Sequence, residues 1–170
     1  MGNPRKIFSK IYDQYVNKIY RFIFIKVSSQ EIAEDLCSET FLRGWQVFKE
    51  REDIENPQAF LYQIARNLIT DHYREKGKAK IVSAEYAPVV DPREGLEEKA
   101  ILGSDIDLVR LALTNLTEDY QNVIIWRYLD DLSIPEIAKI LNKPAGTVRV
   151  TLHRALKALK NELGNWPKEA

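Results

Sequence analysis

The sequence predicts an all-α protein of two small helical domains joined by a flexible linker, the C-terminal domain carrying a helix-turn-helix. Three observations predict this. Apolar residues recur at helical spacing and no stretch alternates convincingly like a strand. The segment 77–104 loses that period and holds three glycines and two prolines. A short capped helix, a tight turn and a basic helix then follow one another near the C-terminus. The expected domains are 1–76 and 105–170, with 77–104 between them and a helix restarting near Leu96 or later.

Bulk composition narrows the class. A chain of 170 residues suits one domain or two small ones. With 45% apolar and 29% charged residues it has the balance of a soluble globular protein, not of a disordered one. No apolar run approaches the roughly 18–20 residues that cross a bilayer, so no membrane insertion is expected. The start, MGNPRKIFSK, has no apolar signal core, and Lys6 stands where a myristoylation motif needs Ser or Thr. A cytoplasmic location is expected. The lone Cys37 cannot form an internal disulfide and reads as a small buried hydrophobe in a reducing compartment.

The elements follow in order. Phe8, Ile11, Tyr12, Tyr15, Ile19, Phe22 and Ile23 lie on one helical stripe. Ser28, Ser29, Gln30 and Glu31 have the signature of a capping box. The helix after it is expected to bury Ile32, Leu36, Phe41, Trp45 and Phe48. KEREDIE is a polar connection, and Asn56-Pro57 restarts a helix as N-cap and first-turn proline. That helix runs to Gly77, with Leu61, Ile64, Ala65, Leu68 and His72 inside. In the second domain, Leu108, Leu111, Ala112 and Leu116 form one stripe. Thr117 opens a helix to Leu129, with Glu118 and Asp119 at its positive end. Ser133-Ile-Pro-Glu136 is a strict capping box. EIAKIL is a short helix, NKP a turn, and KPAGTVRVTLHRALKALK the basic helix.

A net charge of zero would argue against a nucleic-acid partner, but the average hides a segregation. Residues 105–142 carry three cations against seven acids. Residues 143–160 carry Lys143, Arg149, Arg154, Lys157 and Lys160 and no acid. Such a sign change between neighbouring elements marks a charged face. At about 100° per residue, Val148, Leu152, Ala155, Leu156 and Leu159 face inward. Thr147, Val150, His153, Arg154 and Lys157 face outward, with Arg149 and Lys160 at the edge. One helix fits a DNA major groove about 12 Å wide. Its first turn would aim N–H groups at phosphate, and Gly146 would let the backbone approach closely. The cations suit guanine edges or phosphates. Val150 is either an ordinary exposed apolar residue or a contact for a thymine methyl. His153 has no carboxylate at 149 or 157 and reads as a DNA-contacting or surface histidine.

The first domain has a second polar face. Gln63, Arg66, Asn67, Thr70 and Arg74 share a strip on the 57–76 helix, flanked by Tyr62 and Tyr73, with Lys76, Lys78 and Lys80 beyond. Cations, amides and aromatics together suit melted nucleic acid, whose bases stack. An ordinary surface strip with tyrosines at the core edge is the alternative. Glu31, Glu34, Asp35 and Glu39 lack histidine partners, so they read as a solvated or protein-docking face and no metal is expected. There is no Gly-rich phosphate loop, nucleophile elbow or Cys-x-x-Cys, so neither catalysis nor a cofactor is expected.

Three segments in order, AEDLCSETFLRGWQ (33–46), FLYQIARNLITDHYRE (60–75) and YLDDLSIPEIAKILNKPAGTVRVTLHRALKALK (128–160), resemble the extracytoplasmic-function class of bacterial RNA polymerase sigma factors. The resemblance spans roughly 8–76 and 106–163. It implies docking on core RNA polymerase through Asp35, Leu36, Glu39, Thr40, Phe41 and Leu42. It implies that the 60–75 helix reads a melted −10 strand, with Asn67 near a flipped-out base whose pocket the 50–58 loop helps form. The −10 residues would be Tyr62, Gln63, Arg66, Asn67, Thr70 and Arg74. Duplex −35 DNA would meet Thr147, Arg149, Val150, His153, Arg154 and Lys157. The linker would thread toward the polymerase active-site and RNA-exit region. The family often has Ser then Arg at 150 and 151 and Ser at 143; these departures bear on the −35 preference, not on the role. An anti-sigma partner is common in the family, though no residue here assigns one. A response-regulator-type transcription factor would share TVRVTLH but needs a doubly wound receiver domain, of which the N-terminal half has no sign. A helical adaptor would leave the segregated cations unexplained.

Overall fold

The computed structural model describes residues 2–51, 53–80 and 104–164, apart from the side chains of 77–80 and 104–108. Every regular element among them is helical. The chain divides into two compact units, one containing the described residues up to 80 and the other those from 104. The helix expected near Leu96 lies outside the described residues.

The N-terminal unit is a three-helix assembly. α1 (Pro4–Val27) starts where Asn3 Oδ1 accepts from Arg5 N–H at 3.0 Å, with proline in the first turn. It ends where Ser28 turns left-handed at φ 56° and its N–H donates to the Phe24 carbonyl. Ser29, next in line, caps α2 (Gln30–Phe48): its hydroxyl accepts from Ile32 N–H at 3.3 Å. The expected box at Ser28 and Glu31 is therefore replaced by a shared corner, one serine closing a helix and the next opening another. Asn56 caps α3 (Pro57–Lys80) by accepting from Ala59 N–H at 3.0 Å. α3 runs through Gly77 to Lys80, so its last turn enters the stretch read as linker.

Ile19, Phe22 and Ile23 of α1 are fully buried and pack on α2 and α3. Phe8 inserts among Phe41, Trp45 and Phe48, with ring centroids 6.4, 5.5 and 5.6 Å away. Gly44 makes this crossing close. A Cβ there would stand 3.1 Å from Leu61 Cδ2 and 3.5 Å from a Phe8 ring carbon. Tyr12, expected inside, is nearly half exposed but lies edge-on against Phe41.

In the C-terminal unit, α4 (Ser104–Thr114) buries Ala112 and Leu113 while Leu111 is exposed, so its inner stripe is rotated from the one expected. The Gln121 side chain donates to the Leu113 and Leu116 carbonyls at 2.8 and 3.1 Å, which satisfies the open end of α4. Thr117 is the N-cap of α5 (Glu118–Ile124), but its side chain makes no cap bond. The sequence predicts one α-helix to Leu129. Instead Ile125–Leu129 is a π-turn, closed by Asp130 N–H donating to Ile125 O at 3.0 Å. Val123, Ile124, Ile125 and Trp126 are all buried, which a single α-helical stripe would not achieve for four consecutive residues.

α6 (Ile134–Leu141) opens with the predicted reciprocal box: Ser133 Oγ accepts from Glu136 N–H at 3.2 Å and Glu136 Oε1 from Ser133 N–H at 3.0 Å. It closes at Asn142, left-handed at φ 54°. α7 (Ala145–Gly164) follows at once, and its 20 residues pack across α4, α5 and α6. A short capped helix, a turn and a long second helix complete the helix-turn-helix.

Candidate nucleic-acid and protein interfaces

The outward face of α7 is built from the inside out. Val148, Leu152 and Ala155 are buried against α4–α6 and fix the rotation of the helix. Thr147, Arg149, Val150, His153, Arg154 and Lys157 are consequently all exposed, and so is Lys160. The first turn carries no acid. Nothing would lie within 4 Å of a Cβ at Gly146, so the space beside that turn is open. The Thr151 hydroxyl donates to the Thr147 carbonyl at 3.0 Å. A convex row of cations on one helix is the shape and charge a major groove accepts.

The strip on α3 is narrower than expected. Asn67 and Arg74 are exposed, and Gln63, Arg66 and Thr70 are half-buried. Thr70 Oγ1 donates to the Arg66 carbonyl at 3.0 Å. Tyr62 does not flank the strip: it is 0% exposed and stands edge-on to Phe22, with centroids 5.5 Å apart. Its ring is part of the core and cannot stack on a base in this arrangement. The buried stripe of α3 is Ala59, Leu61, Tyr62, Ala65, Leu68 and Ile69, which leaves Ile64 and His72 at its margin. Burial lowers the His72 pKa, so this imidazole adds no charge to the strip at neutral pH. Tyr73 remains at the margin, and its hydroxyl donates to the Lys26 carbonyl at the end of α1. The side chains of Lys78 and Lys80 lie outside the described residues.

The α2 surface also needs correction. Asp35 and Leu42 are exposed, Leu36 is half-buried, and Glu39 pairs with Arg43 at 2.8 Å. Thr40 and Phe41 are buried, the threonine hydroxyl donating to the Leu36 carbonyl at 2.7 Å. Those two side chains hold α2 in the unit and present nothing outward. At the C-terminal end of α2 and the turn after it, Gln46, Val47, Lys49, Glu50 and Arg51 line an open cleft of about 540 Å³. KEREDIE is expected as a polar connection, and the resemblance implies that the 50–58 loop helps form the pocket of a flipped-out base.

Residues 11–79 match the sigma-70 region 2 family, and residues 106–159 match sigma-70 region 4. The chain is 31% identical over 167 residues to the ECF RNA polymerase sigma factor SigW of Bacillus subtilis, covering 92% of this chain and 88% of SigW. The chain belongs to the ECF RNA polymerase sigma factors. SigX of the same organism is 29% identical over 161 residues, with 92% of this sigma factor and 83% of SigX covered. The sigma factor RpoE, solved in complex with the anti-sigma factor NepR from Bartonella quintana, shares the fold. Its TM-score is 0.72 at 23% identity, with 95% of this chain and 99% of that one covered. This protein is thus a promoter-recognising sigma factor of transcription initiation, a class of generally non-enzymatic DNA-recognition subunits. No helix among its described residues is long and apolar enough to cross a membrane. Its three-helix N-terminal unit has no strand among the described residues, which removes the receiver-domain alternative.

Proposed function

We propose that this sigma factor divides promoter recognition among three surfaces. Asp35, Leu36, Glu39 and Leu42 on α2 dock on core RNA polymerase. Gln63, Arg66, Asn67, Thr70 and Arg74 on α3 hold the −10 strand once melted. The outward face of α7 reads the −35 element as duplex. Residues 1–76 act as region 2 and 105–170 as region 4, with 77–104 as the tether. The observation that carries the reading is the rotation of α7, which buries the three apolar residues and exposes every cation from 149 to 160.

The division of labour follows from chemistry. Phosphate contacts position a protein but carry no sequence information, so Lys157 and Lys160 set register while Arg149 and Arg154 reach base edges. On α3, amide and guanidinium groups can hydrogen-bond the Watson–Crick edges that only a melted strand exposes, which favours the melted state over the duplex. The protein works in the cytoplasm with polymerase, without a cofactor and without catalysing a reaction itself. The sigma factor RpoE was solved in complex with the anti-sigma factor NepR. By analogy, an anti-sigma factor would hold this chain until it is needed.

The test is transcription from a mixed promoter pool by core polymerase with and without the purified protein. New, defined start sites that appear only with the protein are the expected result. A stable duplex complex formed without polymerase, and no new start sites, would overturn the reading.

A further inference from the structure

We infer that Val150 makes −35 recognition selective for a thymine, through apolar contact with the C5-methyl group of that base; this rests on α7 being the duplex-reading helix. Val150 is 49% exposed in the N-terminal half of α7, the half that enters the groove in helix-turn-helix proteins. Around it on the same face stand Thr147, Arg149, His153 and Arg154, all exposed. It is the only large apolar side chain of α7 among the strongly exposed ones. A protein-docking patch would need contiguous apolar area, and here the neighbours are polar or cationic.

Valine can neither donate nor accept a hydrogen bond. Set against a guanine, adenine or cytosine edge, it would strip water from donors and acceptors and return nothing. In the major groove the thymine methyl is the one apolar group a base presents. Position 150 therefore rewards thymine and penalises the rest. Two local features sharpen this. A β-branched side chain on a helix keeps essentially one χ1 rotamer, so little freedom is lost on docking. Thr151, the next residue, is half-buried and its hydroxyl donates to the Thr147 carbonyl, which directs that proton along the helix instead of toward a base.

The experiment uses the holoenzyme and a promoter it selects from a pool randomised at the −35 element. Each −35 thymine is replaced in turn by deoxyuridine, which removes the methyl and leaves the pairing edge intact. Binding to wild-type holoenzyme should weaken about fourfold at one position, the loss expected for one buried methyl. Val150→Ser should bind thymine and deoxyuridine templates alike there. Its melting curve must match wild type, as an exposed position allows. The inference is overturned if no deoxyuridine lowers wild-type binding, if the selected element has no thymine on either strand, or if Val150→Ser keeps the methyl sensitivity. Should scrambling the whole −35 element leave initiation unchanged, α7 is not the duplex reader and the underlying reading falls as well.

Discussion

The hydroxyl of Tyr73 on α3 donates to the backbone carbonyl of Lys26, 47 residues earlier, in the last turn of α1. The carbonyl is one of those a helix C-terminus leaves without an intrahelical donor. The contact fastens the outer end of α3, where Thr70 and Arg74 sit, to the end of α1. Tyr73→Phe keeps the ring and removes the donor. It should destabilise the protein by about 0.5–1.5 kcal/mol in chemical denaturation followed by circular dichroism. A change indistinguishable from zero would mean that water replaces the hydroxyl without cost.

Burial pushes the Cys37 thiol up to about 11. The folded state thus favours the neutral thiol more strongly than the unfolded chain does. That contribution is complete below the unfolded value and is lost as pH rises through about 11. Wild type should therefore lose stability above about pH 9 more steeply than Cys37→Ala, each measured against its own value at neutral pH. Parallel curves would show that the thiol is solvated in the fold. Below that range the same burial keeps the thiolate scarce, and reaction with alkylating reagents at neutral pH should be slow.

Asn67 is the exposed amide of the α3 strip. Asn67→Ala should lower discrimination between −10 sequences while leaving affinity for core polymerase unchanged, read by competition between promoters and by co-migration with core. Loss of core affinity would move Asn67 to another surface.

Arg149 stands exposed at the edge of the α7 face. If its guanidinium pairs with a guanine edge, Arg149→Ala costs about 1–3 kcal/mol on the preferred −35 sequence and much less on others. An equal loss on every −35 sequence, with a shallower salt dependence, identifies a phosphate contact instead.

Much of this protein was legible one turn at a time. Asn56 and the Ser133–Glu136 pair act within three or four residues, and each caps the helix it was expected to cap. The face of α7 was legible because Val148, Leu152 and Ala155 are unambiguously small or apolar and the opposite arc is charged. Tyr62 was not, since tyrosine is at home both in a core and at a surface, and only the packing of Phe22 against it decides. The burial of Thr40 and Phe41 was not legible for a related reason: the resemblance marked positions 35, 36 and 39–42 together, whereas a helix sends neighbouring side chains to different sides.

The amino-acid order by itself determined the helices, most of their ends, the division into two units and which side of α7 is buried and which exposed. These depend on local hydrogen bonds and on a period that any single helix displays. The tertiary structure alone decided how α3 and α4 are rotated, where the chain widens into a π-turn at Ile125–Leu129, and that Tyr73 reaches Lys26. Each of those depends on several helices competing for the same apolar surface, and close packing between elements distant in sequence settles that competition.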